Sequence, residues 1–318
     1  MKFQNIVLIG GGVLGSQIAY QTAYAGFHTT VYLRSEASVE RARTRFATIK
    51  EQYLSTLEAM KTDASAYCRG LANTPDLSAE QIDALVAQAE DRLSAIKFET
   101  DWDAAFGNAD LVVECINENP QEKTEFYTKL SAHLPERTVI LTDSSTMLPS
   151  MFAEATGRPD KYMSLHFGNQ IWRNNMTELM RHDGTNPEVF ELAAQFAEAI
   201  GMVPLKLNRE QPGYILNSLL IPWFKAATSL VATGVRDAET VDKCWELATG
   251  ADPGQTPFRK LDKIGLVLAR NILSMDPAAK DPASGLAKSV AMLNGYIDEG
   301  KTGIAAGEGF YKYESYDK

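Results

Sequence analysis

The sequence predicts an α/β protein with a doubly wound, mostly parallel sheet at its N-terminus and an all-α domain at its C-terminus. Short β-rich runs alternate with helical periodicity from Phe3 to about Leu207, a pattern typical of parallel strands with crossover helices. Gln211-Pro212-Gly213 then interrupts the chain, and only long helical runs follow. A length of 318 residues suits two domains, which we expect to span residues 1–208 and 209–318.

The strands of the first domain are predicted from short runs rich in aliphatic and β-branched residues. The clear runs are Asn5–Ile9, Thr29–Leu33, Leu111–Cys115, Thr138–Thr142 and Met163–Phe167. Short strands are expected to follow near Glu178–Met180 and Val203–Leu207. The carboxyl ends of parallel strands form the ligand-binding edge of such a sheet.

A helical insertion separates the second strand from the third. It runs from about residue 38 to residue 97 and should form two helices, because Asn73-Thr74-Pro75 breaks the periodicity. Ser78 and Gln81 have the spacing of a capping box for the second helix. Further along, Asn119 and Pro120 are placed as the N-cap and first residue of another helix.

The second domain is predicted to contain helices from Tyr214 to about Thr233 and from Ala238 to Thr249. The first of these helices carries more large apolar residues than one small domain needs: Leu219, Leu220, Ile221, Trp223 and Phe224. We expect a homodimer that forms through this domain. The alternative is that these side chains only fill the core of one chain.

Charge, apolar patterning and cysteine spacing indicate which binding partners and which cellular compartment to expect. A net charge of −10 repels a phosphate backbone, so no nucleic acid is expected. The most apolar stretch, Tyr214–Val231, contains several polar residues and predicts a buried helix instead of a membrane span. The sequence shows no signal peptide, and its three cysteines are far apart without a CxxC pair. We therefore expect a cytoplasmic protein with no membrane or metal site.

The glycine-rich turn after the first strand predicts dinucleotide binding. Gly10-Gly11-Gly12-Val13-Leu14-Gly15 follows an apolar strand and opens a helix. The spaced glycines allow a tight turn, close approach of a pyrophosphate and close helix packing, and free amides at the helix start favour an anion. This context predicts a Rossmann-type domain, with cofactor contacts at Gly10, Gly12, Val13, Leu14 and Gly15. The alternative is a turn that binds no ligand.

The end of the second strand predicts which nicotinamide cofactor binds. An Asp or Glu normally bonds the ribose 2′-hydroxyl of NAD at this point, but this chain has Leu33, Arg34 and Ser35. Without the carboxylate a 2′-phosphate is not repelled, and the Arg34 guanidinium and the Ser35 hydroxyl suit it. We therefore favour NADP(H). NAD(H) stays possible if Arg34 is only solvated and Glu36 binds the ribose.

Reduction of a ketone by hydride needs a proton donor, and histidine is the usual one. Of the four histidines, only His166 ends an apolar strand at the ligand-binding edge. Glu178, on a short segment expected to pair beside that strand, is placed to hold one imidazole nitrogen and to leave the other for substrate. The alternative for His166 is a core histidine with satisfied hydrogen bonds.

Further polar groups fit a site at this edge. Thr142-Asp143-Ser144-Ser145-Thr146 follows the end of another strand. Asn217 lies on an otherwise apolar helix just after the Pro212-Gly213 pair, where it is placed to face a cleft between domains. Its alternative role is to tie two helices together in the core.

Motifs spread along almost the whole chain resemble the 3-hydroxyacyl-CoA dehydrogenase family. They are GGGVLGSQIA, LVVECINEN, TDSSTMLPS, LHFGN, PGYILNSLL and GEGFYKY. The variants VLGSQIA and HFGNQIWRNN are most similar to the diketoreductase-like branch, whose members reduce β-keto compounds.

The resemblance implies a role for each residue at a matching position. His166 corresponds to the general acid/base and Glu178 to the partner that orients it. Ser145 and Asn217 correspond to the groups that hold the substrate oxygen, Asn217 being supplied by the helical domain. In the cofactor site, the positions implied by the resemblance are Cys115, Glu118, Lys123 and Asp143, the last standing where the family usually has Asn beside the nicotinamide amide.

The implied activity is reversible reduction of a 3-keto group to a 3-hydroxy group on a small molecule. The run Asn169–Asn175 replaces the family's Asn-Pro pair, and the insertion shows no clear match to CoA-contacting residues. Acyl-CoA and CoA-free substrates therefore both stay open. One alternative is a β-hydroxyacid dehydrogenase, which would use a lysine such as Lys225, and another is a dinucleotide-binding protein without catalysis.

Overall fold

The computed structural model describes residues 3–313 of the chain. Within them the strands are β1 (Asn5–Ile9), β2 (His28–Tyr32), β3 (Lys97–Glu99), β4 (Leu111–Glu114), β5 (Val139–Thr142), β6 (Tyr162–Phe167), β7 (Met176–Met180) and β8 (Val203–Lys206). The α-helices are α1 (Val13–Tyr24), α2 (Glu36–Met60), α3 (Ala79–Ala95), α4 (Trp102–Phe106), α5 (Pro120–Ser131), α6 (Pro187–Ala199), α7 (Leu216–Ala232), α8 (Ala238–Thr249), α9 (Pro257–Ile264), α10 (Leu266–Ser274) and α11 (Gly285–Asp298).

The described strands form an eight-stranded sheet in the order β3-β2-β1-β4-β5-β6-β7-β8. Strands β1 to β6 run parallel, β7 is antiparallel to β6, and β8 is parallel to β7. In β1, Ile6 and Leu8 face an apolar cluster under α1, α2, α3 and α6, whereas Val7 and Ile9 face a second cluster under α4 and α5. Helices therefore cover both faces, as in a doubly wound sheet.

One strand was not predicted from the sequence. The helical insertion is expected to run to about residue 97, but Lys97–Glu99 form β3 and pair with Thr30–Tyr32 at the sheet edge. So short a strand shows no usable alternation of apolar and polar residues. The predicted capping box is present, because the Ser78 amide donates to Gln81 Oε1 at 2.8 Å and the Gln81 amide donates to Ser78 Oγ at 3.3 Å.

The chain divides into two compact units between Ile215 and Leu216. This division comes later than residue 208 because the segment after β8 stays on the first unit, where the Ser150 amide donates to Glu210 Oε1 at 2.7 Å and the Tyr214 hydroxyl donates to the Ser144 carbonyl oxygen at 2.7 Å. In the second unit α7, α9, α10 and α11 enclose a core that includes Phe224, Phe258, Leu261, Leu266 and Leu293. Across residues 3–313, no helix has both the length and the apolar character needed to cross a bilayer.

Candidate active site

The glycine-rich turn between β1 and α1 has the conformation and the space that a pyrophosphate needs. Gly10 is left-handed at φ +101°, and a Cβ there would meet the Cys115 carbonyl oxygen at 2.7 Å. A Cβ on Gly15 would meet the Gly10 carbonyl oxygen at 2.5 Å, whereas one on Gly12 would meet no described atom within 4 Å. Packing therefore requires the outer glycines, and the open space at Gly12 is available to a ligand.

The start of α1 adds favourable electrostatics to this turn. Gly12 is the N-cap and offers no side-chain cap, the first turn has no acidic residue, and Val13 is 59% exposed. The amides at the helix start are therefore available to an anion. Leu14, in contrast, packs against the core. These features fit the pyrophosphate of a dinucleotide cofactor.

The residues after β2 divide between core and surface. Leu33 is buried behind Gly11, with its Cδ2 atom 3.0 Å from the position that a Cβ on Gly11 would take. Arg34 is exposed, and its guanidinium makes no hydrogen bond or ion pair to any residue in the range 3–313. Glu36, the alternative ribose ligand, accepts a hydrogen bond from the Thr100 hydroxyl at 3.1 Å. Arg34 is thus a charged group that is open to a ligand here.

One face of α2, next to the predicted Ser35, carries polar groups that were not identified from the sequence. Ser35 Oγ lies 3.0 Å from Ser38 Oγ, which accepts a hydrogen bond from Arg41 at 2.9 Å. Arg45 donates to a carbonyl oxygen of the glycine-rich turn. Helical periodicity places these residues along one side of α2, and that spacing is the signal in the sequence. Together with Arg34, they make this end of the cofactor site positively charged.

A buried carboxylate, also missed from the sequence, lies at the end of β4. Glu114 is 0% exposed and accepts hydrogen bonds from four groups. They are the Lys123 ammonium at 2.7 Å, the Thr142 hydroxyl at 2.8 Å, the Ile116 amide at 2.6 Å and the Tyr127 hydroxyl. Lys123, which the resemblance places in the cofactor site, is itself 1% exposed and pairs with Glu114. The Glu114 carboxylate therefore anchors the loops after β4 and β5.

Glu118 ties the same two loops together at the surface. Its carboxylate accepts hydrogen bonds from the Ser144 hydroxyl at 2.8 Å, the Ser145 amide at 3.0 Å and the Thr146 hydroxyl at 3.1 Å. The Ser145 hydroxyl itself has no hydrogen-bond partner in the part of the chain that the structure describes. That hydroxyl is therefore available to a substrate.

Asp143 is the first residue after β5, and its carboxyl is buried. Burial raises the pKa of this carboxyl well above its usual range. The Phe167 amide, which donates to Oδ1 at 2.9 Å, lowers the pKa, whereas the negative charge of Glu114 raises it further. A protonated carboxyl can both donate and accept a hydrogen bond, as an asparagine amide can. Burial likewise raises the pKa of the Cys115 thiol, whose backbone supports the glycine-rich turn.

Strands β6 and β7 place the predicted acid/base pair side by side. His166 stands directly opposite Glu178 in the antiparallel register, and His166 Nδ1 lies 3.1 Å from Glu178 Oε2. The histidine is 6% exposed and the glutamate is fully buried. The backbone register therefore fixes the pair. Because Nδ1 faces the carboxylate, Nε2 is the ring nitrogen left for a substrate proton.

Tyr214 covers the imidazole and was not identified from the sequence, where Pro212-Gly213 indicates only a boundary. Its ring stacks on His166 with the centroids 4.5 Å apart. Asn217, by contrast, belongs to the second unit, where it is the second residue of α7 and half-buried. The other predicted site residues lie on the first unit, at the carboxyl edge of the sheet or in the loops and helices that follow its strands.

Both units match models of one family. Residues 5–211 match the NAD binding domain of 3-hydroxyacyl-CoA dehydrogenase, and residues 213–313 match its C-terminal domain. The chain belongs to the 3-hydroxyacyl-CoA dehydrogenase family. The resemblance seen in the motifs and the predicted fold class are therefore confirmed.

Relatives of this dehydrogenase match it along almost its full length. Human mitochondrial hydroxyacyl-coenzyme A dehydrogenase is 31% identical over 315 residues, which cover 98% of this chain and 91% of the relative. A probable 3-hydroxybutyryl-CoA dehydrogenase of Deinococcus radiodurans is 28% identical and covers 98% of this chain and 100% of the relative.

Solved structures agree with this placement. One of them is a diketoreductase with substrate-directed dual catalysis of dicarbonyl compounds. It is 39% identical to this chain with a TM-score of 0.84, and the match covers 98% of this chain and 100% of that one. The (S)-3-hydroxybutyryl-CoA dehydrogenase from Ralstonia eutropha has a TM-score of 0.74, 21% identity and the same coverage, a likeness of fold. This dehydrogenase is an oxidoreductase of 3-hydroxy and 3-keto groups that uses a nicotinamide cofactor.

Proposed function

We propose that this dehydrogenase interconverts 3-keto and 3-hydroxy compounds with His166 as its general acid/base and Glu178 as the partner that orients it. The observation that carries the proposal is the 3.1 Å contact between His166 Nδ1 and Glu178 Oε2 on two adjacent buried strands. A carboxylate at Nδ1 selects the tautomer and stabilises the imidazolium. The second ring nitrogen then serves the substrate.

The site residues divide the work of reduction between them. When bound, the nicotinamide cofactor supplies the hydride that reaches the keto carbon. His166 Nε2 donates a proton to the keto oxygen as negative charge develops there, and Glu178 stabilises the protonated ring. The Ser145 hydroxyl hydrogen-bonds that same oxygen. Oxidation reverses each step, with His166 accepting the proton from the 3-hydroxy group.

Replacement of the histidine tests this assignment. His166→Ala should lower kcat by about 10²–10⁴-fold, the usual contribution of positioned acid–base catalysis. Cofactor affinity should not change, because the glycine-rich turn follows a different strand. Titration of reduced cofactor by fluorescence checks binding, and absorbance of the reduced cofactor checks turnover. Full activity in His166→Ala would refute the assignment.

The proposed cofactor preference is NADP(H). It is supported by the unpartnered Arg34 guanidinium and by the engagement of Glu36 with Thr100. Arg34→Leu should weaken NADPH binding by about 1.5–3 kcal/mol, the usual range for a hydrogen bond to a charged group, and leave NADH unchanged. Arg43→Leu is the control, because Arg43 pairs with Glu40 and lies over the Phe98 ring. Equal kcat/KM for NADPH and NADH in the parent enzyme would contradict the preference.

The proposed substrate is a small β-keto compound, either a CoA thioester or CoA-free. The relatives' names favour the thioester, whereas the likeness to a diketoreductase favours a CoA-free dicarbonyl compound. Comparing kcat/KM for acetoacetyl-CoA and a CoA-free β-keto ester, each with NADPH and NADH, distinguishes the two. The β-hydroxyacid dehydrogenase alternative is not favoured, because Lys225 pairs with Asp276 inside the second unit.

We also propose a homodimer formed through the second unit. Large apolar side chains are exposed on that unit, and they include Leu219, Val235, Leu247, Leu268 and Met275. Phe224, which the sequence places with the dimer residues, instead fills the core of the unit. Sedimentation velocity tests the dimer directly. The cytoplasmic location remains a prediction.

A further inference from the structure

The segment that ends the first unit makes a tight turn. The Tyr214 amide donates to the Gln211 carbonyl oxygen at 3.0 Å, and Gly213, the second of the two central residues, has φ +77°. Proline followed by a left-handed glycine is the arrangement of a type II turn. Tyr214 is itself left-handed at φ +54°, a conformation that costs a non-glycine residue on the order of 1–3 kcal/mol. Such strain persists only where surrounding contacts hold it.

The contacts that hold Tyr214 lead to the acid/base pair. Its ring stacks on the His166 imidazole, with centroids 4.5 Å apart and an interplanar angle of 20°. Its hydroxyl donates to the Ser144 carbonyl oxygen at 2.7 Å. The next amide, that of Ile215, donates to Glu178 Oε1 at 2.8 Å, while Oε2 of the same carboxylate faces His166. One short segment therefore touches both members of the pair.

We propose that Tyr214 and the Ile215 amide are positioning elements for the acid/base pair, an inference that rests on the proposed role of His166. The tyrosine ring restricts rotation of the imidazole, and the amide fixes the plane of the carboxylate. With both groups held, His166 Nε2 keeps one direction toward the substrate. The Pro-Gly turn is therefore part of the active site as well as the end of the first unit.

Tyr24 provides a matched control for Tyr214. It too is buried and donates its hydroxyl to a backbone carbonyl, that of Leu71, at 2.8 Å. It also packs against an aromatic ring, that of Tyr53, at a centroid distance of 5.7 Å. Tyr24 is the last residue of α1, at the opposite end of that helix from the glycine-rich turn. Substitution at either tyrosine removes the same kinds of contact, but only one of them touches His166.

The experiment compares Ala and Phe variants at both tyrosines, with thermal stability, cofactor Kd, and kcat and KM for a β-keto ester as readouts. Tyr214→Ala should lower kcat about ten- to a hundredfold, part of the ~10²–10⁴-fold supplied by positioned acid–base catalysis, with little change in KM or cofactor Kd. Tyr214→Phe, which keeps the ring, should recover most of this loss. Tyr24→Ala should lower Tm but not kcat. Unchanged kcat in Tyr214→Ala, or an equal loss in Tyr24→Ala, would overturn the proposal.

A double variant shows whether Tyr214 acts through the histidine. In a His166→Ala background, Tyr214→Ala should cause no further loss of the residual rate, because interacting residues are not additive. Independent losses would contradict the proposal. Replacing Ile215 with its α-hydroxy acid turns this amide into an ester, which removes the N–H donor and keeps the tyrosine ring, so it reports on the carboxylate even if Tyr214→Ala does not fold. Unchanged kcat there also counts against the proposal. Full activity in His166→Ala would instead refute the proposed function itself.

Discussion

Two buried carboxylates at the same edge of the sheet are arranged for different tasks. Glu114, at the end of β4, accepts hydrogen bonds from four donors, one of which is the buried ammonium of Lys123. Glu178, on β7, accepts a hydrogen bond from the Ile215 amide with one oxygen and faces His166 Nδ1 with the other. Only the second carboxylate has a partner with another titratable atom, His166 Nε2, that a substrate can use.

This difference shows why burial of an ionisable pair does not by itself indicate catalysis. The donors to Glu114 come from β5, α5 and the loop after β4, so its carboxylate holds together the segments that carry Glu118, Asp143 and Ser145. In the proposed mechanism, Glu178 instead orients a ring that passes a proton onward. We infer that Glu114 acts through stability and Glu178 through rate.

The largest expected effect tests the structural half of the comparison. Glu114→Gln should destabilise the protein by about 3–5 kcal/mol, because the Lys123 ammonium then stays buried without its counter-charge. Urea unfolding followed by fluorescence measures the change. The double variant Glu114→Gln/Lys123→Met, which removes both charges, should recover most of it. A urea midpoint that Glu114→Gln does not change would contradict the assignment.

The next effect tests the catalytic half. Glu178→Gln should lower kcat about 100-fold, which corresponds to about 2.7 kcal/mol of activation free energy, because an amide does not stabilise the imidazolium. The amide oxygen still accepts the Ile215 hydrogen bond, so the stability loss should be smaller than in Glu114→Gln. Steady-state kinetics and urea unfolding of the same two variants provide the comparison. A Glu178→Gln enzyme with parental kcat would remove the distinction between the carboxylates.

The sequence predicts the parts of the site that depend on local pattern. The glycine-rich turn is visible because each glycine meets a requirement of a short stretch of chain, and the fold class follows from alternating strands and helices. The sequence also predicts that the short strands carrying His166 and Glu178 lie side by side. It does not predict the register that places these two residues directly opposite each other, because register depends on contacts between segments that are distant in the chain.

The parts that were missed depend on contacts between distant elements. Glu114 looks like the polar end of an apolar strand, and its donors Lys123, Tyr127 and Thr142 come from elements that only the fold brings together. Tyr214 follows a Pro-Gly pair that indicates a boundary, and its left-handed φ is not encoded by the residue type. β3 is too short for an alternation of apolar and polar residues to be recognised next to the helical periodicity of the insertion.

The smallest expected effect concerns Asp143, which lies between the two carboxylates. Its amide donates to the Glu114 carbonyl oxygen at 2.9 Å, and its Oδ1 accepts the Phe167 amide. Burial raises the pKa of the Asp143 carboxyl, so its contribution to stability is fully present below the ordinary aspartate pKa and is lost as pH rises toward the folded-state pKa. The loss amounts to about 1.4 kcal/mol per pH unit within that window. Asp143→Asn, which cannot ionise, should therefore become more stable relative to the parent protein as pH rises.

An aspartate with the opposite shift serves as the control for Asp143. Burial raises the pKa of Asp110, but the Asn5 amide and the Arg137 guanidinium outweigh this and lower it overall. Its contribution is therefore present above the ordinary aspartate pKa and is lost as pH falls, so the stability difference for Asp110→Asn should depend on pH in the opposite direction. Urea unfolding of the parent and both variants across a pH series compares the two slopes. If the difference in unfolding free energy between Asp143→Asn and the parent did not change with pH, Asp143 would keep its charge between the two carboxylates. A charged Asp143 would not resemble the asparagine of the family.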